Sequence, residues 1–402
     1  MATAPSSTTE RGGEMMENKA TLAIKNCRLV LEDEIIEGGT ILLSGDKILS
    51  FGKADEVDIP SGIEVIDAQN NYVGPGFVDI HVHGAGFGRD TSFNTVEAAE
   101  YFLSHGETTI LATPWYSMDA SRMFEAVKSI KENIGKTKNV RGIYFEGPYT
   151  NPNYGASSAT NPWRHGIVEA EYKPIVDEAG ELARVWVIAP EREGILEFIK
   201  YARSVNPDAV ISVGHSEATP AEIRALGEYA PTLETHAMDA VGKTRTPSGA
   251  QLYGPDEYCL VNDNVICELI CDSGGLHVHD DMLKLLLHCK GVGGVALVTD
   301  SASSKSGETP EKFAHVKDVN FNPLGQLAGS RLTMDVALKN IIEHAGVGIR
   351  EAFIMASSNP ARAIKMFDSI GSIAVGKRAD LVVLDDTLNV KSVIIGGEIY
   401  RK

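Results

Sequence analysis

The spacing of apolar residues changes twice along the chain. From Ala20 to about Ala68 they fall in short runs, TLAIKNCRLVL, GGTILLSGDKILSFG and IEVIDAQN, punctuated by Gly-Asp and Pro-Ser-Gly. Short runs bounded by turn residues predict β-strands, and no helix of useful length fits there. From Val73 onward, strand-like and helical patterns alternate. Eight apolar runs stand out: GFVDIHVHG (76–84), ETTILATPW (107–115), VRGIYFEGPY (140–149), ARVWVIAPE (183–191), DAVISVGHS (208–216), APTLETHAM (230–238), NVICELICDSGG (264–275) and GGVALVTDS (293–301). Between most of them lie helical patterns such as TVEAAEYFLSHG, ASRMFEAVKSIKENIG, GILEFIKYARSV, PAEIRALGEYA and DDMLKLLLHCKG. Strands that are apolar throughout are covered on both faces, so eight such βα units predict an α/β fold with a closed parallel (β/α)₈ barrel. A helical stretch follows (TMDVALKNIIEHAG, IREAFIMASSNPARAI), and after Gly371 the pattern returns to β. Neither β-rich end can bury its apolar face alone. The expected organisation is a leader without order at 1–18, a small β-sandwich domain built from both termini (19–72 and 372–402), and the barrel at 73–371.

Composition narrows the function. A formal net charge of −18 over 402 residues disfavours nucleic-acid and anionic-membrane partners, while a local pocket can still take a small anion. The five cysteines are odd in number and show no CxxC pair; Cys267 and Cys271 sit in an apolar run and read as core thiols. This suits a reducing cytoplasm. Residues 1–18 have no apolar segment of the signal-peptide kind, and no run of apolar residues is long enough to cross a membrane.

The chemistry lies where the strands end. Residues two apart on a strand face the same way, so His81 and His83 project together, although an HxH pair alone is a weak sign of a metal site. In such a barrel the reacting groups sit at the C-terminal strand ends. The third run delivers Glu146 there, the fifth His215, the sixth His236, the seventh His277 just beyond it, and the eighth Asp300. Four imidazoles and a carboxylate suit Zn²⁺, and the same donors accept Fe, Mn, Co or Ni. A carboxylate has two oxygens, so Glu146 can bridge two ions, one held by His81 and His83 and the other by His215 and His236. Asp300 is then placed to take a proton from water and pass it to a leaving group. His105, His165, His288, His315 and His344 fall in helical or loop patterns and are given no role.

These motifs resemble the amidohydrolase superfamily and, within it, the N-acetylglucosamine-6-phosphate deacetylases. The resemblance runs from about Leu22 onward through PGFVDIHVHG, FEGPY, the His215/His236 pair, GGLHV, LVTDS, LAGSRLTMD, SSNPARAI and GSIAVGKRADLVVLD. It implies a homodimer that hydrolyses the N-acetyl group of a small amino sugar 6-phosphate and releases acetate. It also implies substrate contacts from His277, from Asp239 and Ala240 near the sugar phosphate, and from Leu327, Ala328 and Gly329 on the acetyl side. Three positions depart from the family pattern. Asp239 stands where an asparagine is usual, Ser157 follows Gly155-Ala156 where a histidine is usual, and the phosphate-binding arginine has no positional match, with Lys243 and Arg245 close by. The metal set is intact and the recognition set is altered. That leaves room for a different N-acyl substrate, such as an unphosphorylated or isomeric amino sugar or an N-acyl amino acid, or for a non-catalytic binding homologue.

Overall fold

The computed structural model describes residues 19–86, 88–156, 158–303 and 309–400. The predicted leader lies outside them. All eight expected barrel strands form: Phe77–Val82, Glu107–Ala112, Val140–Phe145, Ala183–Ile188, Val210–Val213, Leu233–Glu234, Ile266–Ile270 and Val295–Val298. They pair side by side in that order, all parallel. The ring closes between the last strand and the first through a parallel bridge, Val82 to Ser301, and through the Asp300 amide donating to the His81 carbonyl at 2.9 Å.

The near-continuous apolar runs have the burial they implied. Every residue of the first, second, fifth, sixth and eighth strands is buried. Alternate side chains then separate into two layers. Val78, Ile80, Leu111, Tyr144, Val185, Val187, Ile270 and Val298 fill the interior. Their neighbours face the surrounding helices, as Phe145, Trp186 and Ile188 do against Phe198 and Ile199. The helix Glu169–Ala179 was not expected: Pro174 inside it interrupts the helical pattern, yet Tyr172, Ile175, Val176 and Ala179 still form one buried face.

The two termini build one eight-stranded sheet. Its path runs Glu398–Tyr400, Val390–Ile395, Leu381–Leu384, Tyr72–Pro75, Leu22–Val30, Ile35–Ser44 and Lys47–Lys53, with Glu64–Asp67 pairing the Leu22–Val30 strand. The seam is antiparallel, Leu381 opposite Pro75 and Val383 opposite Val73. Leu22, Ile24, Leu29, Ile41 and Leu43 from one end share a core with Ile373, Leu381, Val383 and Ile394 from the other. Close contact with the barrel is made at Gly74, where a Cβ would lie 2.3 Å from Phe353, whose ring stacks on Phe77 at 5.6 Å. The sheet is thereby anchored at the base of the strand that carries His81.

Candidate active site

The strand ends converge as the barrel geometry requires. His81 lies on the first strand, His83 follows it, Glu146 follows the third, and His215, His236 and Asp300 each lie two residues past the fifth, sixth and eighth. Residues 215, 236 and 300 adopt positive φ of 44°, 30° and 45°. A left-handed backbone costs a non-glycine residue on the order of 1–3 kcal/mol and persists only where the surroundings dictate it. Here they do so in two places: the His215 carbonyl accepts from the Asn151 amide at 2.8 Å, and the Asp300 carbonyl from the Ser330 amide at 2.8 Å. The turn aims each side chain inward over the barrel mouth.

Two donor groups share Glu146, namely His81, His83 and Glu146, and Glu146, His215 and His236, with the ligand atoms of each group within 4.8 Å of one another. His215 Nε2 is 2.7 Å and His236 Nε2 3.4 Å from Glu146 Oε1, and the two nitrogens are 3.0 Å apart. On the other side, His83 Nε2 lies 3.2 Å from Glu146 Oε2 and 3.2 Å from Asp300 Oδ1. His81 Nε2 lies 3.8 Å from Glu146 and 3.7 Å from Asp300.

Hydrogen bonds at the far side of two rings decide what these nitrogens can do. His81 Nδ1 is 3.1 Å from the buried Glu268 carboxylate, and His83 Nδ1 is 3.0 Å from the Thr113 carbonyl. Both outer partners can only accept, so each Nδ1 carries the proton, and each Nε2 faces carboxylate oxygens without a good hydrogen bond of its own. An imidazole lone pair held against a carboxylate needs a proton or a cation between them. The local electrostatics agree. Burial disfavours charge on His83, yet Asp300 and Glu146 outweigh it and hold its pKa at about 10. Burial is likewise outweighed by Glu146, Asp239 and Asp300 at His236, also about 10. Glu146 itself is held well below the usual carboxylate range, its burial overcome by His215, His236 and His83. A field that keeps a proton at these nitrogens at neutral pH would hold a divalent cation, and the donor set fits one.

Above the cluster opens a cavity of about 240 Å³. His83, Glu146, His215, His236, His277 and Asp300 line it, and so do Asp239, Ala240, Leu327, Ala328 and Gly329. All the expected site residues thus face one space, apart from His81, which lies buried beneath it. Ser157 lies outside the described residues. Lys243 and Arg245 do not line this cavity: the Lys243 ammonium is 2.5 Å from Glu257 and 3.4 Å from Asp256, and Arg245 donates to the Gly249 carbonyl. His165 is bound to Glu171 on the surface.

A family model for the amidohydrolase family matches residues 72–400. The chain belongs to the amidohydrolase family. It is 28% identical over 401 residues to the N-acetylglucosamine-6-phosphate deacetylase of Bacillus subtilis, covering 94% of this chain and 97% of that one. It is also 28% identical to an N-acetylgalactosamine-6-phosphate deacetylase of Escherichia coli O157:H7, covering 85% and 90%. The crystal structure of the N-acetylglucosamine-6-phosphate deacetylase of Thermotoga maritima superposes with a TM-score of 0.78 at 30% identity, covering 94% of this chain and all of that one. The protein is accordingly a hydrolase that acts on an amide.

Some side chains of the amidohydrolase site escaped the strand-end reading. Glu268 and Asp272 come from the seventh run and hold His81 and His277, the latter through Nδ1 at 2.9 Å. Asp272 also accepts from the amides of Gly274, Leu276 and His277. Trp115 stacks on His83 with ring centres 3.9 Å apart, and Tyr116 lies against His215. One signal was available: a glutamate inside the apolar strand ICELI has no reason to be there unless something polar awaits it.

Proposed function

We propose that this amidohydrolase removes the N-acetyl group of an amino sugar 6-phosphate and releases acetate. In this reading His81, His83, Glu146, His215 and His236 hold one or two divalent cations, Zn²⁺ first among the metals that suit them. The carrying observation is the convergence of four imidazole Nε2 atoms on Glu146, beside Asp300. Bound there, a cation would acidify water and polarise the acetyl carbonyl. Asp300, whose burial is outweighed by His83 and His81 so that its carboxyl stays below its ordinary pKa, is ionised and ready to accept the proton of the attacking water. As the C–N bond breaks, it returns that proton to the amine nitrogen, and the acetyl carbon leaves with the water oxygen as acetate.

The wall residues fit an acetyl group and a sugar. At Gly329 a Cβ would lie 2.7 Å from the Asp300 carbonyl, so the backbone passes closer to the reacting centre than any other residue would allow. His277 Nε2 is buried without a partner among the described residues and lines the cavity, free to meet a substrate oxygen. Asp239 and Ala240 line the same cavity, and the family resemblance assigns them the far end of the sugar. A cytoplasmic location, which five free cysteines suit, and a homodimer, which the family resemblance implies, belong to the same proposal.

One observation favours a second substrate. Glu146, Asp239 and Asp300 line the cavity, and no lysine or arginine does among the described residues. A dianionic phosphate beside Asp239 would be repelled unless a cation reached it, whereas an unphosphorylated N-acetyl amino sugar would not. Acetate release from N-acetylglucosamine-6-phosphate, N-acetylgalactosamine-6-phosphate and N-acetylglucosamine decides between them. A marked preference for a phosphorylated sugar supports the first reading, equal or higher turnover of the unphosphorylated sugar replaces it with the second, and turnover of none overturns both.

A further inference from the structure

Glu268 has no part in the mechanism above, yet it is fully buried in the seventh barrel strand, at 0% exposure. Its strand neighbours Cys267 and Leu269 face the outer helical layer, so alternation turns Glu268 inward, under the site. A carboxylate is costly to bury and is found there only when it is hydrogen-bonded and charge-compensated. Glu268 Oε2 meets three donors: His81 Nδ1 at 3.1 Å, the Tyr144 hydroxyl at 3.2 Å and the His236 amide at 3.2 Å. The Tyr144 hydroxyl is in turn 2.8 Å from Thr235 Oγ1, which is 2.6 Å from Ser212 Oγ. The Tyr144 ring stacks on His81, centroids 4.4 Å apart. No lysine or arginine pairs with Glu268 among the described residues; its one ion-pair partner is His81.

These contacts join the two donor groups beneath their shared Glu146. One oxygen of Glu268 fixes the ring of His81, from the first group, and the backbone of His236, from the second. We infer that Glu268 is a positioning residue for the metal centre: it keeps the proton of His81 on Nδ1, keeps Nε2 available for a cation, and so sets how tightly the His81–His83 half binds its ion. The inference rests on the cation-dependent reading above. Loss of an outer carboxylate of this kind weakens metal binding by roughly 10–100-fold.

The test uses the full-length protein, stripped of metal and titrated with Zn²⁺ against a chromophoric chelator. Glu268→Gln preserves shape and removes the charge. The ion belonging to the His81–His83 half is identified as the one weakened in His83→Ala. Expected is a roughly 10–100-fold weaker affinity for that ion in Glu268→Gln, with the affinity at Glu146, His215 and His236 changed by less than about threefold. If the wild-type protein binds no Zn²⁺, the cation-dependent reading itself falls. If the wild type binds and Glu268→Gln matches it, the role of Glu268 falls alone. A second measurement needs no variant: ¹⁵N NMR of the Zn²⁺-loaded wild type should show His81 protonated on Nδ1. A proton on Nε2 would overturn the assignment even where Glu268→Gln fails to fold.

Discussion

The floor and the wall of the cavity are built on different principles. On the floor, His81, His83, Glu146, His215 and His236 are all less than 5% exposed and sit at or just past strand ends. His81 and His83 are each fixed from behind, by Glu268 and Thr113, and each ring is stacked, on Tyr144 and Trp115. The wall is made of Asp239 and Ala240 on a loop and of Leu327 to Gly329, which form the start of the short strand Leu327–Ser330 in a two-stranded ribbon with Val319–Phe321, all five residues partly exposed and lining the cavity. A rigid floor suits an ion and a bond-breaking step that tolerate little displacement; a wall of one loop and one peripheral two-stranded ribbon can change its ligand without disturbing the chemistry. That difference would let the cavity wall vary from one amidohydrolase to another while the clustered imidazoles beneath it stay in place.

The contrast can be broken most forcefully at Glu146. Glu146→Ala removes the carboxylate common to both donor groups and should lower kcat/KM by roughly 10⁴-fold, about 5 kcal/mol of transition-state stabilisation. Metal content measured on the purified variant should fall with it; retained metal and rate would show that the floor is not organised around Glu146. Next is Asp300→Asn, which should cost roughly 10²–10⁴-fold in kcat while the bound metal stays at the wild-type level, separating proton transfer from ion binding.

Asp272 holds His277 at the edge of the cavity and yields a pH test. Hydrogen bonds and charge from His277 and backbone amides overcome its burial and lower its pKa from 3.8 to about 2. That stabilisation is present above about pH 4 and lost as pH falls through about 2. Burial opposes charge on His277, but Asp272 and Asp239 outweigh it and raise its pKa above 6.5, so its share is present below pH 6.5 and lost as pH rises through the raised value. The pair is one interaction, fullest between about pH 4 and 6.5 and worth about 2 kcal/mol. Asp272→Asn should lower the melting temperature most in that window and least near pH 2; a uniform loss across pH would refute the pairing. The smallest effect belongs to the wall. Asp239→Asn removes one partly exposed negative charge and should raise kcat/KM for a phosphorylated over an unphosphorylated sugar by roughly tenfold, about 1.4 kcal/mol, with bound metal unaffected. Metal loss in that variant would mean that floor and wall are not separable.

Most of this contrast was legible in the chain. Strand placement followed from apolar runs, and the convergence of His81, His83, Glu146, His215, His236 and Asp300 followed from which residue ended each run, because barrel topology turns a one-dimensional position into a place on one rim. The contacts from behind were not legible. Glu268 meets His81 across 187 positions of sequence, and spacing carries no trace of such a pair once the ring is closed. Trp115 ends the second run and Tyr116 follows it, but aromatic residues at a strand end look the same whether they face a core or a ligand. The helix Glu169–Ala179 was hidden by Pro174, whose helix-breaking tendency is overridden by a buried face of four residues. The shared core of the two termini was expected from need alone, since each has an apolar face that cannot stay exposed.

That shared core has a consequence for how the molecule is made. The Tyr72–Pro75 strand waits for Leu381–Leu384, and both belong to the same sheet as Leu22–Val30. On the ribosome the early strands emerge with one edge unpaired while the whole barrel is synthesised between them and their partner. Sheet closure is therefore a late event of high contact order, and slow. Until it happens, Val73 and its neighbours present an open edge on which a second chain can pair. Yield on expression should respond to slower synthesis and to chaperones more than to any change at the catalytic rim.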